Sequence, residues 1–485
     1  MNAHFTSSSE ISDTVTRAAE ASLTWAATPV KRRAQALEAI AGALDSAADQ
    51  LVPMAKRETH LTEGRLQGEL VRTSFQLRLF AEVVRDGGYL DSRIDHADPE
   101  WPMGARPDLR RTLIPIGPVV VFAASNFPFA FSVIGGDTAS ALAAGNSVVL
   151  KVHSGHPELS RLTGEVVASA LRTVQAPDNL LQLIYGTDAG VEALTDPRIK
   201  AGAFTGSIPG GRALFDLAQS RPEPIPFYGE LGSLNPVFVS RSAATERAAA
   251  VVDEYVKSFT LGAGQFCTKP GLLLHPAGSG VRDLLEHAQL PDPVPLLNDR
   301  IQRGFATSLA GLAAHPHVAP VRFTESSTST PPAPSVLATS VQALIEDPTL
   351  LDEVFGPATL IAEYEHDEQL LQLVEALPGQ LTATLIANEN DTLAPQLIDA
   401  LSRRAGRILW NEWPTGVTVS YAQQHGGPYP ATTASMSTSV GSAAISRFIR
   451  PVAYQNLPQS LLPANLRDEA RTTPALVDGK RVERA

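Results

Sequence analysis

Between residues 119 and 240 the chain carries five short apolar runs: VVVFAA (119–124), SVVLKV (147–152), LLQLIY (180–185), AGAFTG (201–206) and NPVFVS (235–240). Segments of helical character separate the first four. Asp137 to Ala144 ends at Gly145, a fitting residue for a helix C-terminus. Pro157 to Val174 has apolar residues at helical spacing, and Gly210 to Ala218 is a shorter segment of the same kind. Strand–helix alternation needs right-handed crossovers and implies an α/β fold with a doubly wound, mostly parallel sheet. Such sheets bind ligands outside the carboxyl ends of their strands. Asn126, Lys151, Gly186 and Thr205-Gly206-Ser207 fall there, so four of the five runs deliver small or polar groups to one edge.

The flanks are of different character. Residues 10–100 read as helices, with Leu37, Ile40, Ala41, Leu44, Ala48 and Leu51 on one face and Arg33, Glu38 and Asp49 elsewhere. Lys31-Arg32-Arg33 is expected on a polar helix face. From about Asp98 to Pro107 this pattern breaks. A second α/β segment starts near residue 241, with a helix through Tyr255 and Val256, and runs to about 440. SSTSTPPAPS (326–335) reads as a surface loop. The polar last twenty residues are expected to lie along the surface or a partner subunit.

With 485 residues, two to four structural units are expected. A net charge of −12, which the short run Lys31-Arg32-Arg33 does not overturn, argues against a nucleic-acid binder. The single cysteine, Cys267, excludes disulfides within the chain and Cys-rich metal sites. The start, MNAHFTSSSEISD, lacks the basic and apolar regions of a signal peptide, which makes the cytoplasm the expected location. VVVFAASNFPFAFSVIGG (119–136) approaches the length of a membrane span, but Asn126 and Pro128 interrupt it. A buried strand followed by a buried helix is expected, with no membrane association.

Several residues could do chemistry. Cys267 lies in GAGQFCTKPG, where glycines permit tight geometry and a thiolate is a good nucleophile near neutral pH. Alone, it reads sooner as a small buried hydrophobe, and only its context turns the reading to a nucleophile. Glu230, in FYGELGSLNP, is placed just before the fifth run; burial there would raise its carboxyl pKa toward that of a working base, and a helix cap or an exposed turn carboxylate is the alternative. Asn126 could donate its amide to an oxyanion or simply shape the turn before Pro128. FTGSIPGG (204–211) resembles an anion-binding turn at a helix N-terminus, a weak signal by spacing alone. The histidine pairs His153/His156 and His315/His317 lack carboxylate or thiolate company, so no metal is expected.

Taken together, PIGPV (115–119), SNFP (125–128), VVLK (148–151), FTGSIPGG (204–211), ELGS (230–233), GQFC (264–267) and EVFGP (353–357) resemble the aldehyde dehydrogenase superfamily, in its motif order and over nearly the whole chain. The resemblance implies roles. Cys267 matches the nucleophile, Glu230 the base that activates the deacylating water, and Asn126 the oxyanion amide. Lys151, followed by His153 and Ser154, matches the lysine at the adenosine ribose. Gly206, Ser207 and Gly211 match the pyrophosphate turn, and Glu353 with Phe355 the nicotinamide ribose contact. The implied reaction is NAD(P)-dependent oxidation of an aldehyde to a carboxylic acid through a cysteine thioester. Glu230 favours hydrolysis over transfer to coenzyme A.

Three positions depart from the common pattern. Ser154 stands where a glutamate often binds the 2′-hydroxyl of NAD, and loss of that carboxylate should admit NADP, with NAD also possible. Ser125 stands where tryptophan is common, and Ser233 ends what is usually ELGG. These departures, with GGDTASALAAG (135–145) and GGPYPATT (426–433), resemble 2-oxoglutarate semialdehyde dehydrogenases and also NADP-dependent fatty aldehyde dehydrogenases. The first substrate is expected. Trp410-Asn411-Glu412-Trp413 would favour a fatty or aromatic aldehyde if it lined the pocket; Thr415 and Gly416 are guesses for the substrate-carboxylate contact. A non-catalytic binding or structural relative is the remaining alternative. The expected partition is a dinucleotide-binding domain (1–105 and 117–238), a catalytic domain (239–440) and an oligomerisation element with the C-terminal segment (106–116 and 441–485), in a homodimer or homotetramer.

Overall fold

The computed structural model describes residues 5–326, 330–469 and 473–483. Their strands form three sheets. In the first, Val119–Phe122 is central, with Val148–Lys151 and Leu181–Ile184 on one side and Ala201–Thr205 and Phe227–Glu230 on the other, all parallel. Val119–Phe122 is buried throughout, which a parallel strand covered on both faces requires of its sequence. The chain adds two strands to one side of this centre and then crosses back to add two on the other. Strand order therefore reverses beside Val119–Phe122, where an open α/β sheet leaves a crevice at its carboxyl edge.

The helix Gly136–Ala144 is buried on every side and stops at Gly145, whose φ is +104°. A Cβ at Gly145 would meet Arg33 Nη1 at 2.7 Å and Pro115 Cγ at 2.8 Å. Both the left-handed backbone and the close approach call for glycine. The apolar stretch 119–136 is thus a buried strand and a turn-rich passage that leads into a buried helix. Among the described residues no helix is long and apolar enough to cross a membrane.

Pro236–Val239 is not the fifth strand of this sheet. It pairs with Leu272–Pro276 and Gln380–Ile386 in the second sheet. The fifth strand is Phe227–Glu230, so Glu230 ends a strand instead of preceding one. Its sequence, FYGE, hides it: this is an edge strand with a glycine inside. Its open side is closed by the chain near residue 432, where Gly229 N–H donates to Thr433 Oγ1 at 2.8 Å and Glu230 bridges Thr432.

The second sheet runs Ala319–Arg322, Ser335–Ser340, Ala358–Tyr364, Leu272–Pro276, Pro236–Val239, Gln380–Ile386, Ala405–Trp410, parallel except for its first edge strand. Within the loop expected at 326–335, residues 327–329 lie outside the described ones and Ser335 already begins a strand. The third sheet joins Ile449–Gln455, Leu109–Pro115, Ser92–Asp95, Ala475–Val477 and Lys480–Val482. A seven-residue antiparallel ladder links Leu109–Pro115 to Ile449–Gln455. Ser92–Asp95 corrects the all-helical reading of residues 10–100, which otherwise holds as Ser8–Ala27, Val30–Ser46, Ala48–Thr59 and Glu63–Asp86. Arg33 is also corrected: it is buried, donating to Ala143 O at 3.2 Å and Tyr89 Oη at 3.1 Å. There it supplies a cation to the carbonyl end of Gly136–Ala144, where the helix dipole favours one.

Candidate active site

Cys267 follows the turn Leu261–Gly264, in which Gly262, Ala263 and Gly264 all have φ between +56° and +66°. Three successive left-handed residues are strained, the more so because one is alanine. The turn is fixed from outside. A Cβ on Gly264 would stand 2.1 Å from Gly356 O, so the GQFC and EVFGP loops pack backbone to backbone. Asn235 Nδ2 donates to the carbonyls of Cys267 and Lys269 at 2.8 and 3.0 Å.

Around the half-buried thiol three side chains converge. His425 Nε2 lies 3.4 Å from Cys267 Sγ and 2.8 Å from Glu230 Oε1. Ser439 Oγ donates to Glu230 Oε2. Asn126 Nδ2 donates to Gln265 O at 3.2 Å, tying it to the residues before Cys267. The three ligand atoms of Glu230, Cys267 and His425 lie within 4.8 Å of one another, a set that could also hold a cation.

Electrostatics separate these groups. Burial pushes the Cys267 thiol well above its ordinary range, and the carboxylates of Glu230 and Glu353 add to this while Arg72 opposes it. For Glu230 the expectation is corrected. Burial alone would raise its carboxyl, but His425, Ser439 and Arg447 outweigh it and hold it below the usual value. Glu353 is raised, by burial first, although Lys269 opposes the shift; it accepts the Ser233 backbone N–H. Burial lowers Lys269, whose Nζ donates to Val354 O and Ala358 O at 2.7 and 2.8 Å.

The first sheet's carboxyl edge carries the remaining residues. Lys151 ends its strand, with burial and the nearby charge of Arg300 lowering its pKa. His153 is lowered well below the ordinary imidazole value by burial, then by His156, Lys151 and Arg300. Ser154 is exposed beside them. Ser207 caps the helix Ile208–Ser220, accepting from Gly210 N at 3.4 Å, and Gly206 and Ser207 are exposed at its N-terminus. Gly211 lets that helix close on the sheet, since a Cβ there would fall 2.0 Å from Leu231 Cδ2. Lys151, Arg300 and the positive end of the helix dipole at Ile208 suit the phosphates of a dinucleotide. Glu353 reaches toward this edge, its Oε2 and the Ile208 side chain both closing on Gly232, and Glu353 and Phe355 are half-buried.

Residues 1–279 match the model of the aldehyde dehydrogenase family. The chain belongs to that family. It is 42% identical over 466 residues to the alpha-ketoglutaric semialdehyde dehydrogenase of Acinetobacter baylyi, covering 95% of this chain and 89% of the relative. It is 43% identical over 465 residues to alpha-ketoglutaric semialdehyde dehydrogenase 2 of Azospirillum brasilense, covering 94% and 88%. The fold matches a solved 3,6-anhydro-L-galactose dehydrogenase in complex with NAP, with a TM-score of 0.77, 20% identity and 92% of each chain covered. The protein is an NAD(P)-dependent aldehyde dehydrogenase, an enzyme that oxidises aldehydes.

In this aldehyde dehydrogenase a cavity of about 190 Å³ opens beside Cys267, with Phe127, Phe131, Phe266, Gly416 and Val417 among its walls. Trp410 to Trp413 do not line it. Trp413 Nε1 donates to Glu254 at 2.8 Å with its ring on Tyr255, and Asn411 braces Ala387 and Arg247. Thr415 is engaged with Ser258, leaving Gly416 as the one wall residue of that guess. His156 is a core histidine, its Nε2 2.9 Å from Ala124 O. His315 has carboxylate company after all, at 2.9 Å from Asp347. Sequence reasoning missed His425, Ser439, Arg65, Arg72 and Arg300. Only the HGG glycines beside His425 marked a special backbone there.

Proposed function

We propose that this enzyme oxidises 2-oxoglutarate semialdehyde to 2-oxoglutarate with NADP, through a thioester on Cys267. The observation that carries the chemistry is the contact chain Cys267 Sγ–His425 Nε2–Glu230 Oε1, at 3.4 and 2.8 Å. The substrate rests on the two relatives of that name, similar over 94–95% of the chain.

His425 takes the thiol proton, Glu230 stabilises the imidazolium that results, and this proton passes to solvent before water attacks the thioester. The thiolate attacks the aldehyde carbon, forming a C–S bond and an oxyanion. Asn126, with the second N–H of its amide, and the Cys267 backbone N–H donate to that oxyanion. The bound nicotinamide supplies a two-electron acceptor for the hydride that leaves the substrate carbon. The oxyanion then collapses to a thioester on Cys267. Water attacks this carbonyl as the Glu230–His425 pair takes its proton, and the C–S bond breaks to release the acid and the thiolate. Lys151, Ser207 and Glu353 would hold the cofactor's adenosine ribose, pyrophosphate and nicotinamide ribose, with Gly206, Gly211 and Phe355 shaping their surroundings. Lys151 and Arg300 near exposed Ser154, with His153 beside them, favour a 2′-phosphate.

An apolar aldehyde is the second reading, favoured by the three phenylalanines of the cavity. The deciding experiment compares kcat/KM for 2-oxoglutarate semialdehyde, hexanal and benzaldehyde with NADP. A tenfold lead for the semialdehyde, about 1.4 kcal/mol of transition-state preference, supports the proposal. The same lead for an apolar aldehyde replaces its substrate. We also infer a homodimer or homotetramer assembled through the third sheet, whose Ile449–Gln455 edge is largely exposed. The dinucleotide-binding unit is taken as the first sheet with its helices, and the catalytic unit as the second.

A further inference from the structure

We infer that Arg72 holds the carboxylate of the substrate; this rests on the reading of that substrate as an anionic aldehyde. Arg65 and Arg72 stand seven residues apart on the helix Glu63–Asp86, and both border the cavity beside Cys267. Two helical turns place them on one face. Glu69 is the one carboxylate among the residues lining this cavity. Its Oε1 is committed to the backbone N–H groups of Phe129 and Ala130, at 2.8 and 3.0 Å. Two guanidinium groups against one carboxylate leave the walls with a surplus positive charge, which a monoanionic substrate would neutralise.

The two arginines are not equivalent. Arg65 is occupied: its Nη2 donates to Asn126 O at 2.6 Å, and its plane lies 5.1 and 4.4 Å from the rings of Phe127 and Phe266. Its Nη1, like that of Arg72, is buried without a hydrogen-bond partner, but it sits against Gly262, where a Cβ would come within 2.5 Å, and the group is wedged between two rings. Arg65 therefore braces the residue that carries the oxyanion amide. Arg72 has only Nε engaged, with Val417 O at 3.3 Å, and its Nη1 is buried without a partner. Its guanidinium lies over Phe131, 5.5 Å from the ring centre, and its charge is felt first at Glu69 and then at Cys267 and Glu230. A donor withdrawn from water and left unbonded is destabilising. A carboxylate satisfies the planar fork of such a group in two parallel bonds. A neutral aldehyde cannot, so the unmet donors themselves discriminate against it.

The test uses the full-length enzyme, its Arg72→Gln and Arg72→Lys variants, and three aldehydes: 2-oxoglutarate semialdehyde, succinate semialdehyde and pentanal. The readout is the ratio of kcat/KM for each semialdehyde to that for pentanal. Losing Arg72 also changes the ionisation of Cys267, but this acts on all three substrates alike and cancels in the ratio. The expected result is a fall of at least 30-fold in Arg72→Gln, expressed in the KM of the semialdehyde, with partial recovery in Arg72→Lys. Ratios within threefold of the parent enzyme in both variants would overturn the assignment. If Arg72→Gln does not fold, glutarate should slow iodoacetamide alkylation of Cys267 in the parent enzyme and lose at least tenfold of its apparent affinity in Arg72→Lys; equal protection rejects the proposal. A parent enzyme that prefers succinate semialdehyde refutes the 2-oxo substrate while Arg72 is judged by the same ratio. One that prefers pentanal to both semialdehydes refutes both.

Discussion

The imidazole of His425 contacts Glu230 at 2.8 Å, Nε2 to Oε1, and the same nitrogen faces the Cys267 thiol at 3.4 Å. One nitrogen therefore serves the nucleophile and the carboxylate in turn. The contact also helps explain why Glu230, although buried, is held below the usual carboxylate range. An isolated carboxylate of that kind is a weak base. The pair has an imidazole with which to take a proton from water, and the carboxylate balances the charge that results.

Glu230→Gln should therefore separate the two halves of the reaction. Acylation and hydride loss are slowed by loss of the imidazolium's counter-charge but still precede the blocked step, so reduced cofactor appears in a burst of one equivalent per active site. Steady turnover then falls by about 10²-fold or more, the usual scale for loss of general-base help. Rapid mixing gives the burst, and intact-mass measurement detects the acyl group on Cys267. A steady rate within threefold of the parent enzyme, with no burst, removes Glu230 from deacylation. Cys267→Ser should show neither burst nor turnover.

The pH profile tests the other side of the histidine. Burial, assisted by Glu230 and Glu353, raises the Cys267 thiol, so little thiolate exists at neutral pH without help. For a group whose anion reacts, a raised pKa means that kcat/KM climbs as pH rises, by up to about tenfold per unit below that pKa. His425→Ala removes the nearby acceptor of the thiol proton. Its deficit should be largest near pH 7 and shrink at higher pH, where the thiol ionises unaided. A parent-to-variant ratio that stays flat from about pH 6 to pH 10 would show that His425 does not serve the thiol.

How far these features were legible depended on where their partners lie. Val119–Phe122, Val148–Lys151 and Gly136–Ala144 announced themselves because elements buried on all sides must be continuously apolar. Phe227–Glu230 and Ser92–Asp95 did not. FYGE is an edge strand with a glycine, and SRID is a short strand between a left-handed turn and a sheet completed by the distant Ala475–Val477. Cys267, Glu230 and Asn126 were found through motifs. His425 has no such local signature; its meaning comes from Glu230 and Cys267, far away in sequence. Arg65 and Arg72 read as ordinary polar residues of a helix, and only the loops around Asn126, Phe266 and Val417 enclose them.

Cofactor choice should respond to charge at the carboxyl edge. Arg300 is close enough to help lower the pKa of half-buried Lys151, and exposed Ser154 adds no carboxylate. Ser154→Glu would place an anion where a 2′-phosphate is held. Two charges about 4 Å apart at a partly exposed site interact by up to about 4 kcal/mol. The expected result is a loss of at least tenfold in kcat/KM for NADP relative to NAD. Arg300→Gln should shift the ratio the same way by removing attraction. Equal kcat/KM ratios in all three proteins would place the 2′-phosphate elsewhere.

The backbone contact between Gly264 and Gly356 should be the least tolerant point of the site. Gly264 has φ +66°, and an added Cβ would meet Gly356 O at 2.1 Å, Gly356 C at 2.5 Å and Pro357 N at 2.9 Å. All three are backbone atoms, so no side chain can swing aside. Gly264→Ala must displace one loop from the other, at a cost of about 1–3 kcal/mol for the left-handed backbone and overpacking. The displaced loops carry Cys267 and Glu353, so activity should fall further than stability does. Gly278→Ala is the matched control, since Gly278 has φ +71° and nothing within 4 Å of the place a methyl group would take. It suffers the backbone strain without the collision. Thermal unfolding and kcat/KM measured on both variants separate the effects. Gly264→Ala should lose about 10²-fold in kcat/KM, while Gly278→Ala keeps parent activity with a modest drop in Tm. If the two variants lose activity equally, the collision with Gly356 is not what holds Cys267 in place.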